Sequence, residues 1–481
     1  MIVNMIDQNA LRELLQVKNL KSYVGTDIPM RYFEPWRGEI GAGAVLVFPS
    51  DIEQIRSLIF WAKKHSINLV PQGARTGLVN ASIPSIEGGP NSAIVSLEKY
   101  KQNITFNIAE QKLIVDAGFL LSEINEYLLP FGFYLPVNVS SDPMVGAMAA
   151  TNIGGSSVLR HGDFRDLTMG IKVVLADDEV SIYDSLDRPT KDNSSLNFTK
   201  LFCGSFGRLG IVTTIALKVI PIEVASDTYW IPISKSTNVS ELVQNLEASS
   251  SDYLVACEIV SKNVLTATKK YFSDINSKIL VPYSDNGVDV LFVEFATSNN
   301  EIDLVGLSQN LMSKLVEKGL VEDALNIDTK LTWEIRHSFS QAVKNSCRKL
   351  ITCDISTSKD RFPSLRQEIH RAIAKKYPKL VICDFGHIGD GGIHMNIAVP
   401  KDLSEAEFTD DDSNNVRSLV NEITHDYRGS FSAEHGLGEL NMYFYDKYIP
   451  MIDKKLSRNI KDFCDPENVL GHPSIVFDTN E

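Results

Sequence analysis

From Asp51 to Ile67 (DIEQIRSLIFWAKKHSI) apolar residues recur at the three-to-four spacing of an amphipathic helix. The chain then turns apolar and extended over Asn68 to Pro71 and enters a glycine-rich stretch, which predicts helix, strand and loop in succession. Lys112 to Ala117 (KLIVDA), Met169 to Ala176 (MGIKVVLA) and Gly210 to Ile220 (GIVTTIALKVI) read as further strands, so the N-terminal part is an α+β unit ending near Pro221. From about residue 226 the glycine-rich clusters stop. Strands such as Asp289 to Phe295 (DVLFVEF) alternate there with amphipathic helices such as Glu301 to Lys318, the pattern of a separate α+β domain. From about Asn415 a last segment carries another glycine-bearing loop, AEHGLGE, a helix and a Pro-containing tail, and is expected to pack back on the first unit. The predicted division is residues 1–222, 223–414 and 415–481.

The length of 481 residues exceeds what one hydrophobic core usually serves, in keeping with several cooperating units. With 47 basic and 61 acidic residues the formal charge is -14, which argues against nucleic acid or an anionic membrane as the main partner. A small anionic substrate would therefore need a local positive site. The cysteines (Cys203, Cys257, Cys347, Cys353, Cys383, Cys464) are scattered without a CxxC pair, as expected of reduced thiols in a cytoplasmic protein. No signal-peptide pattern opens the chain, and no apolar run approaches the roughly 20 residues of a transmembrane helix.

Three clusters of small residues lie in the N-terminal part. PQGARTGLVNASIP (Pro71 to Pro84) follows a strand and reads either as a glycine-rich surface turn or as a loop whose N–H groups converge on phosphate oxygens. In DPMVGAMAATNIGGSSVLRHG, Gly146, Ala147, Ala149, Ala150, Gly154 and Gly155 leave the backbone bare enough for a planar ligand, and GSFGRLGIVT begins at Gly204. Neither matches the GxGxxG fingerprint of a nicotinamide-binding unit or a GxxxxGK[ST] loop. Three clusters point to an extended cofactor.

FGHIGDGGIHMNI holds His387 and His394 with three glycines between them, so a hairpin is expected in place of a helix. A loop over residues 389–392 would set Ile388 opposite Ile393 and His387 opposite His394, with Asn396 on the same face. Two imidazoles joined by a carboxylate, for which Glu434 beside His435 is the obvious donor, suit Zn²⁺ or Mn²⁺; hydrogen-bonded core histidines are the other reading. Arg336 and Ser340 share one face of a predicted helix, where Arg336 is either an ordinary surface residue or a carboxylate ligand.

Taken in order, PQGARTGL, DPMVGAMAATNIGGSSVLRHG, GSFGRLGIVT, FGHIGDGGIHMN and AEHGLG resemble motifs of FAD-binding proteins of the vanillyl-alcohol-oxidase type, in the branch of D-2-hydroxyglutarate dehydrogenase, D-lactate dehydrogenase and the glycolate oxidase flavin subunit. The resemblance spans nearly the whole chain. It implies an α+β fold: a two-subdomain FAD-binding domain, an α+β substrate domain and a small helical C-terminal segment. It also implies that Pro71, Gln72, Gly73, Ala74, Arg75, Thr76, Gly77 and Leu78 grip the FAD pyrophosphate. Pro136, Asp142, Pro143, Gly146, Ala147, Asn152, Gly155 and Gly162 would line the FAD, with Ile211 at its adenine end. His161 stands where the family usually has Tyr and the pyrophosphate loop has no His, so noncovalent FAD is implied. His387, His394 and Glu434 align with the metal ligands, His435 with the general base, and Arg336, Ser340 and Asn396 with the substrate side.

The chemistry then implied is metal-assisted oxidation of a D-2-hydroxy acid. Removal of the hydroxyl proton creates an alkoxide that a metal ion stabilises, and the C2 hydride passes to flavin. The expected partners are a small 2-hydroxy acid and, as electron acceptor, an electron-transfer flavoprotein or a quinone; an O₂-using oxidase, a non-catalytic flavin subunit and a homodimer stay open. Ala74, Phe206 and Arg208 depart from the family pattern in the cradle, and Thr352, Gly392 and Asn441 depart on the substrate side, where Thr352 and Asn441 each replace a Lys. A monocarboxylic substrate is therefore as open as a dicarboxylic one.

Overall fold

The computed structural model describes residues 6–472 apart from 37–39, 88, 235–236, 251, 273–279, 281–282 and 284–286. The expected helix after residue 51 runs over Ile52–His65, started by the Asp51 side chain accepting from the Gln54 N–H and ended by Ser66 in the left-handed region. It leads into the strand Asn68–Gln72, which lies at one edge of a four-stranded sheet, parallel to Ser92–Ser96. Val45–Phe48 is next, with Lys21–Val24 antiparallel at the far edge. A second, antiparallel sheet has the order Ile104–Asn107, Lys112–Asp116, Ile211–Lys218, Thr168–Val174, Ile182–Asp184.

The third sheet has eight strands, including Ala225–Ile233, Asp289–Thr297, Leu254–Val260, Phe385–Gly386, Gly392–Val399 and Lys349–Ser356. Its strands alternate between two apolar layers, as the period-two rule requires. Cys257, Ile259, Val293, Phe295, Met395 and Ile397 pack into one core with the helices Leu304–Glu317, Phe362–Lys376 and Asp410–Asp426. Ala256, Val260, Phe292, Phe385 and Ala398 pack on the other face against Thr329–Ser346 and Lys262–Tyr271. The polar residues Glu258, Glu294, Thr352, Asp354, His394 and Asn396 belong by the same alternation to this second face. A helix Asp410–Asp426 runs across residue 415.

The C-terminal helix Met451–Cys464 returns to the first two sheets. Leu69 N–H donates to Val469 and Gly471 N–H to Leu69, while Ala176 N–H donates to Cys464. Buried Lys461 binds Asp465 at 2.5 Å and the carbonyls of Arg208 and Leu470. All six cysteines are free and buried, and among the described residues no helix is long and apolar enough to cross a membrane.

Asp384, with no exposed surface, receives Arg366 Nε at 2.5 Å and lies 3.1 Å from His370 Nε2. Burial alone would raise its pKa, but Arg366 and His370 outweigh it and hold the carboxyl far below the usual carboxylate range. A depressed folded-state pKa stabilises the fold above the unfolded value of about 3.9, and that stability drains away as pH falls through it. Asp384→Asn is expected to cost roughly 3–5 kcal/mol at neutral pH. Denaturant titrations at a series of pH values should also show the variant losing less stability than the parent between about pH 5 and 2.

Candidate functional site

The expected hairpin around FGHIGDGGIHMN forms in a different register. Phe385, not His387, pairs with His394, and residues 387–391 make the turn. The His387 carbonyl accepts from the N–H groups of Asp390, Gly391 and Gly392, which curls the chain, and Gly391 takes φ +90 where a Cβ would sit 2.1 Å from the Thr357 carbonyl. The turn thus swallows the His387–Ile388 pair that a four-residue loop would have left in the strands. The two imidazoles still meet, with ring centroids 5.4 Å apart and planes near perpendicular.

His387 Nε2 lies 3.4 Å from Glu434 Oε1, and donor atoms of His387, His394 and Glu434 all fall within 4.8 Å of one another. Two ligands about 2 Å from a tetrahedral zinc are roughly 3.3 Å apart, so the donor set suits a divalent ion after small closure. Behind each imidazole stands a carboxylate that sequence reading missed. Glu258 Oε1 lies 3.4 Å from His387 Nδ1, and Asp354 Oδ1 lies 3.5 Å from His394 Nδ1. Both of these oxygens are buried and accept no other hydrogen bond. Such backing fixes which ring nitrogen is protonated and turns the other nitrogen inward.

Asp354 also lies 3.6 Å from His435 Nδ1 and accepts the backbone N–H groups of Glu434 and His435 at 2.8 and 2.7 Å. The His435 ring stacks on His394 at 5.7 Å. Burial would raise the Asp354 pKa, yet His435, His394 and the Glu434 amide hold it well below the usual range. At His387 burial would drive the proton off, but Glu434, Glu258 and Asp390 prevail and raise its pKa. The sequence signal for Glu258 and Asp354 was a lone carboxylate in each of two apolar strands, VACEIV and ITCDIS.

Arg336 reaches the same face from the helix Thr329–Ser346, but its Nε bonds Glu258 and its guanidinium lies 4.6 Å over Phe385. Ser340, one turn on, is exposed, and Asn396 is buried opposite Thr352. Beside Glu258, Trp333 Nε1 donates to Glu294, whose pKa burial pushes up to about 7.

The predicted cofactor residues fall into two groups. Gly73 lies so close to the helix Val145–Thr151 that a Cβ would meet the Ala147 Cβ at 2.7 Å, bringing the loop 73–78 against Ala147. Gln72 is buried and donates to the Tyr32 and Ser82 carbonyls, while its own Oε1 is a buried acceptor with no partner. Pro71 touches Gly207, Arg75 takes φ +63 over the Tyr32 ring, and Ala74, Thr76, Gly77 and Leu78 continue the loop. Asn152 caps the helix in the left-handed region and binds Asp163. Gly155 N–H donates to Glu434 Oε1 at 3.3 Å, so this cluster abuts the imidazoles. A bare loop set against a small-residue helix, with an orphaned buried acceptor, fits a large cofactor. Other predicted residues have partners within the protein: Asp142 accepts from Ser122, Pro143 from the Leu121 N–H, Gly146 packs on Ala117, and Ile211 is wholly buried in a core. Pro136 is buried, and Gly162 takes φ +77 beside Asp166. Half-buried His161 has its pKa pushed down to about 4 by burial.

Residues 43–182 match the family model described as FAD binding domain, and residues 233–472 match FAD linked oxidases, C-terminal domain. The chain belongs to the FAD-linked oxidases of the vanillyl-alcohol-oxidase and p-cresol-methylhydroxylase type. The resemblance read from the motifs and the α+β fold class are thereby borne out, with FAD as the cofactor of the N-terminal model. This FAD-linked oxidase is 28% identical over 446 residues to a probable mitochondrial D-2-hydroxyglutarate dehydrogenase of Oryza sativa subsp. indica, covering 91% of this chain and 76% of that one. It is 26% identical to the D-2-hydroxyglutarate dehydrogenase of Stutzerimonas stutzeri, covering 91% of each chain. A putative mitochondrial D-lactate dehydrogenase of Schizosaccharomyces pombe is 26% identical, with 88% of this chain and 80% of that one covered. The structure of p-cresol methylhydroxylase with substrate bound superposes with a TM-score of 0.69 at 14% identity over 96% of both chains, a likeness of fold.

Loss of the carboxylate behind His387 is expected to weaken divalent-metal binding. For Glu258→Gln, chelator competition should give an affinity about 10–100-fold below the parent, with flavin content unchanged. Equal affinities would mean that Glu258 does not orient His387.

Proposed function

We propose that this FAD-linked oxidase is a metal-assisted dehydrogenase that oxidises a D-2-hydroxy acid, of the D-2-hydroxyglutarate or D-lactate kind, to the 2-oxo acid. The observation that carries the reading is the convergence of His387, His394 and Glu434 within 4.8 Å, with His435 stacked alongside and Gly155 of the cofactor cluster bonded to Glu434. The names of the relatives support it. In this reading residues 1–222 hold FAD without a covalent bond, 223–414 carry the substrate face, and 415–481 close over both.

Bound FAD supplies the hydride acceptor, and a zinc or manganese ion on His387, His394 and Glu434 supplies Lewis-acid polarisation of the hydroxyl. His435 is the base: Asp354 beside its Nδ1 selects the tautomer that leaves Nε2 to accept the hydroxyl proton, and stabilises the imidazolium that results. Arg336, Ser340 and Asn396 hold the carboxylate end. Arg336 is aimed by Glu258 and lies over the Phe385 ring, which limits its freedom before substrate arrives. The electron acceptor in this reading would be an electron-transfer flavoprotein or a quinone.

The test is anaerobic mixing of purified, metal-assayed protein with D- and L-2-hydroxy acids, with and without added Zn²⁺ or Mn²⁺. Bleaching of the flavin absorption by a D-acid is expected, and its absence with every acid would leave a flavin protein without this activity. His435→Ala should retain flavin while its reduction slows by about 10²–10⁴-fold; an undiminished rate would remove His435 from the base role.

A further inference from the structure

We infer that the substrate carries one negative group, its carboxylate, and that the remainder is neutral or cationic; this rests on the dehydrogenase reading above. The cavity beside His387, of about 190 Å³, is lined among the described residues by four acidic ones, Asp163, Asp354, Asp390 and Glu434, and by no lysine or arginine. The guanidinium whose charge acts on His387 is Arg336, which stands behind the wall bonded to the fully buried Glu258 with only 11% of its side chain exposed. Arg160 is committed to Glu223 and the Ala296 carbonyl, and Arg165 donates to the Cys203 carbonyl. The charges of a divalent ion and of Arg336 are already cancelled by Glu258, Asp354 and Glu434, before Asp163 is counted.

One substrate carboxylate has the ion site to meet, whereas a second would find no lysine or arginine among the described residues that line the cavity. Burying an anion without a partner, beside like charges, is among the costliest contacts a site can offer. A distal amide, alkyl or ammonium group escapes that repulsion. An amide or ammonium can also donate to an acidic residue of the lining such as Asp163 or Asp390.

The decisive comparison is between D-2-hydroxyglutarate and its distal amide, D-2-hydroxyglutaramate, which match in length and differ in the distal charge. Anaerobic flavin reduction by the FAD- and metal-loaded protein should show kcat/KM at least roughly tenfold higher for the amide. D-lactate and D-2-hydroxy-6-aminohexanoate should also reduce the flavin faster than the diacid. Equal or faster reduction by the diacid overturns the inference while leaving the dehydrogenase intact; reduction by none of the four, nor by any other 2-hydroxy acid, overturns the dehydrogenase reading and the inference with it. Asp390→Asn, which keeps the metal ligands and base, should narrow the amide-to-diacid ratio. If that variant loses its flavin, the comparison on the parent protein decides alone.

Discussion

The Asp354 carboxylate is the joint on which the site is built. It belongs to the strand Lys349–Ser356, yet it accepts the backbone N–H groups of Glu434 and His435, some 80 residues further on. That pair of bonds fixes the AEHGLG loop against the sheet, and the same carboxylate faces the rings of His394 and His435. One side chain therefore sets the position of a loop, the tautomers of two imidazoles and the distance from Glu434 to His387. A buried carboxylate tolerates this only because its partners outweigh desolvation.

The elements were legible because each carries its period. The helix Ile52–His65 and the strands Asn68–Gln72, Lys112–Asp116, Thr168–Val174 and Ile211–Lys218 fall within a few residues of where hydrophobic spacing put them. The histidine pair was legible because both members lie in one short segment. Its register was not, since the turn is closed by three amides converging on the His387 carbonyl, which no side-chain pattern encodes. Glu258 and Asp354 escaped notice for a different reason. Their partners, Arg336, His387, His394 and His435, are distant in sequence, and a lone acidic residue in an apolar strand shows its worth only once the sheet alternation places it.

The small residues of the cradle divide by what they touch. Gly73 and Gly146 each admit an alanine side chain, Ala147 and Ala117, whereas Gly155 admits the Asn138 carbonyl and Gly438 the Val79 carbonyl, which a Cβ would approach to 1.9 Å. The family resemblance credits Gly73, Gly146 and Gly155 to the cofactor, and leaves Gly438 unassigned. Packing explains Gly146 and Gly438 without one, because two chain segments can cross that closely only where a Cβ is missing. Gly438 is then the place where the C-terminal loop clamps the segment following Leu78.

The electrostatics of the imidazole cluster are a choice between a proton and a metal ion. Glu258, Glu434 and Asp390 press on His387 from several sides, and a cation must sit among them if they are to stay ionised away from water. Without a metal, the raised pKa of His387 makes a ring proton that cation. A metal ligand must be a neutral imidazole nitrogen, so an ion arriving at His387 Nε2 takes over the role of the proton and releases it. The carboxylates that back the ring are then preorganised for either occupant, and so much negative charge can stay ionised in one buried face only with one of the two in place.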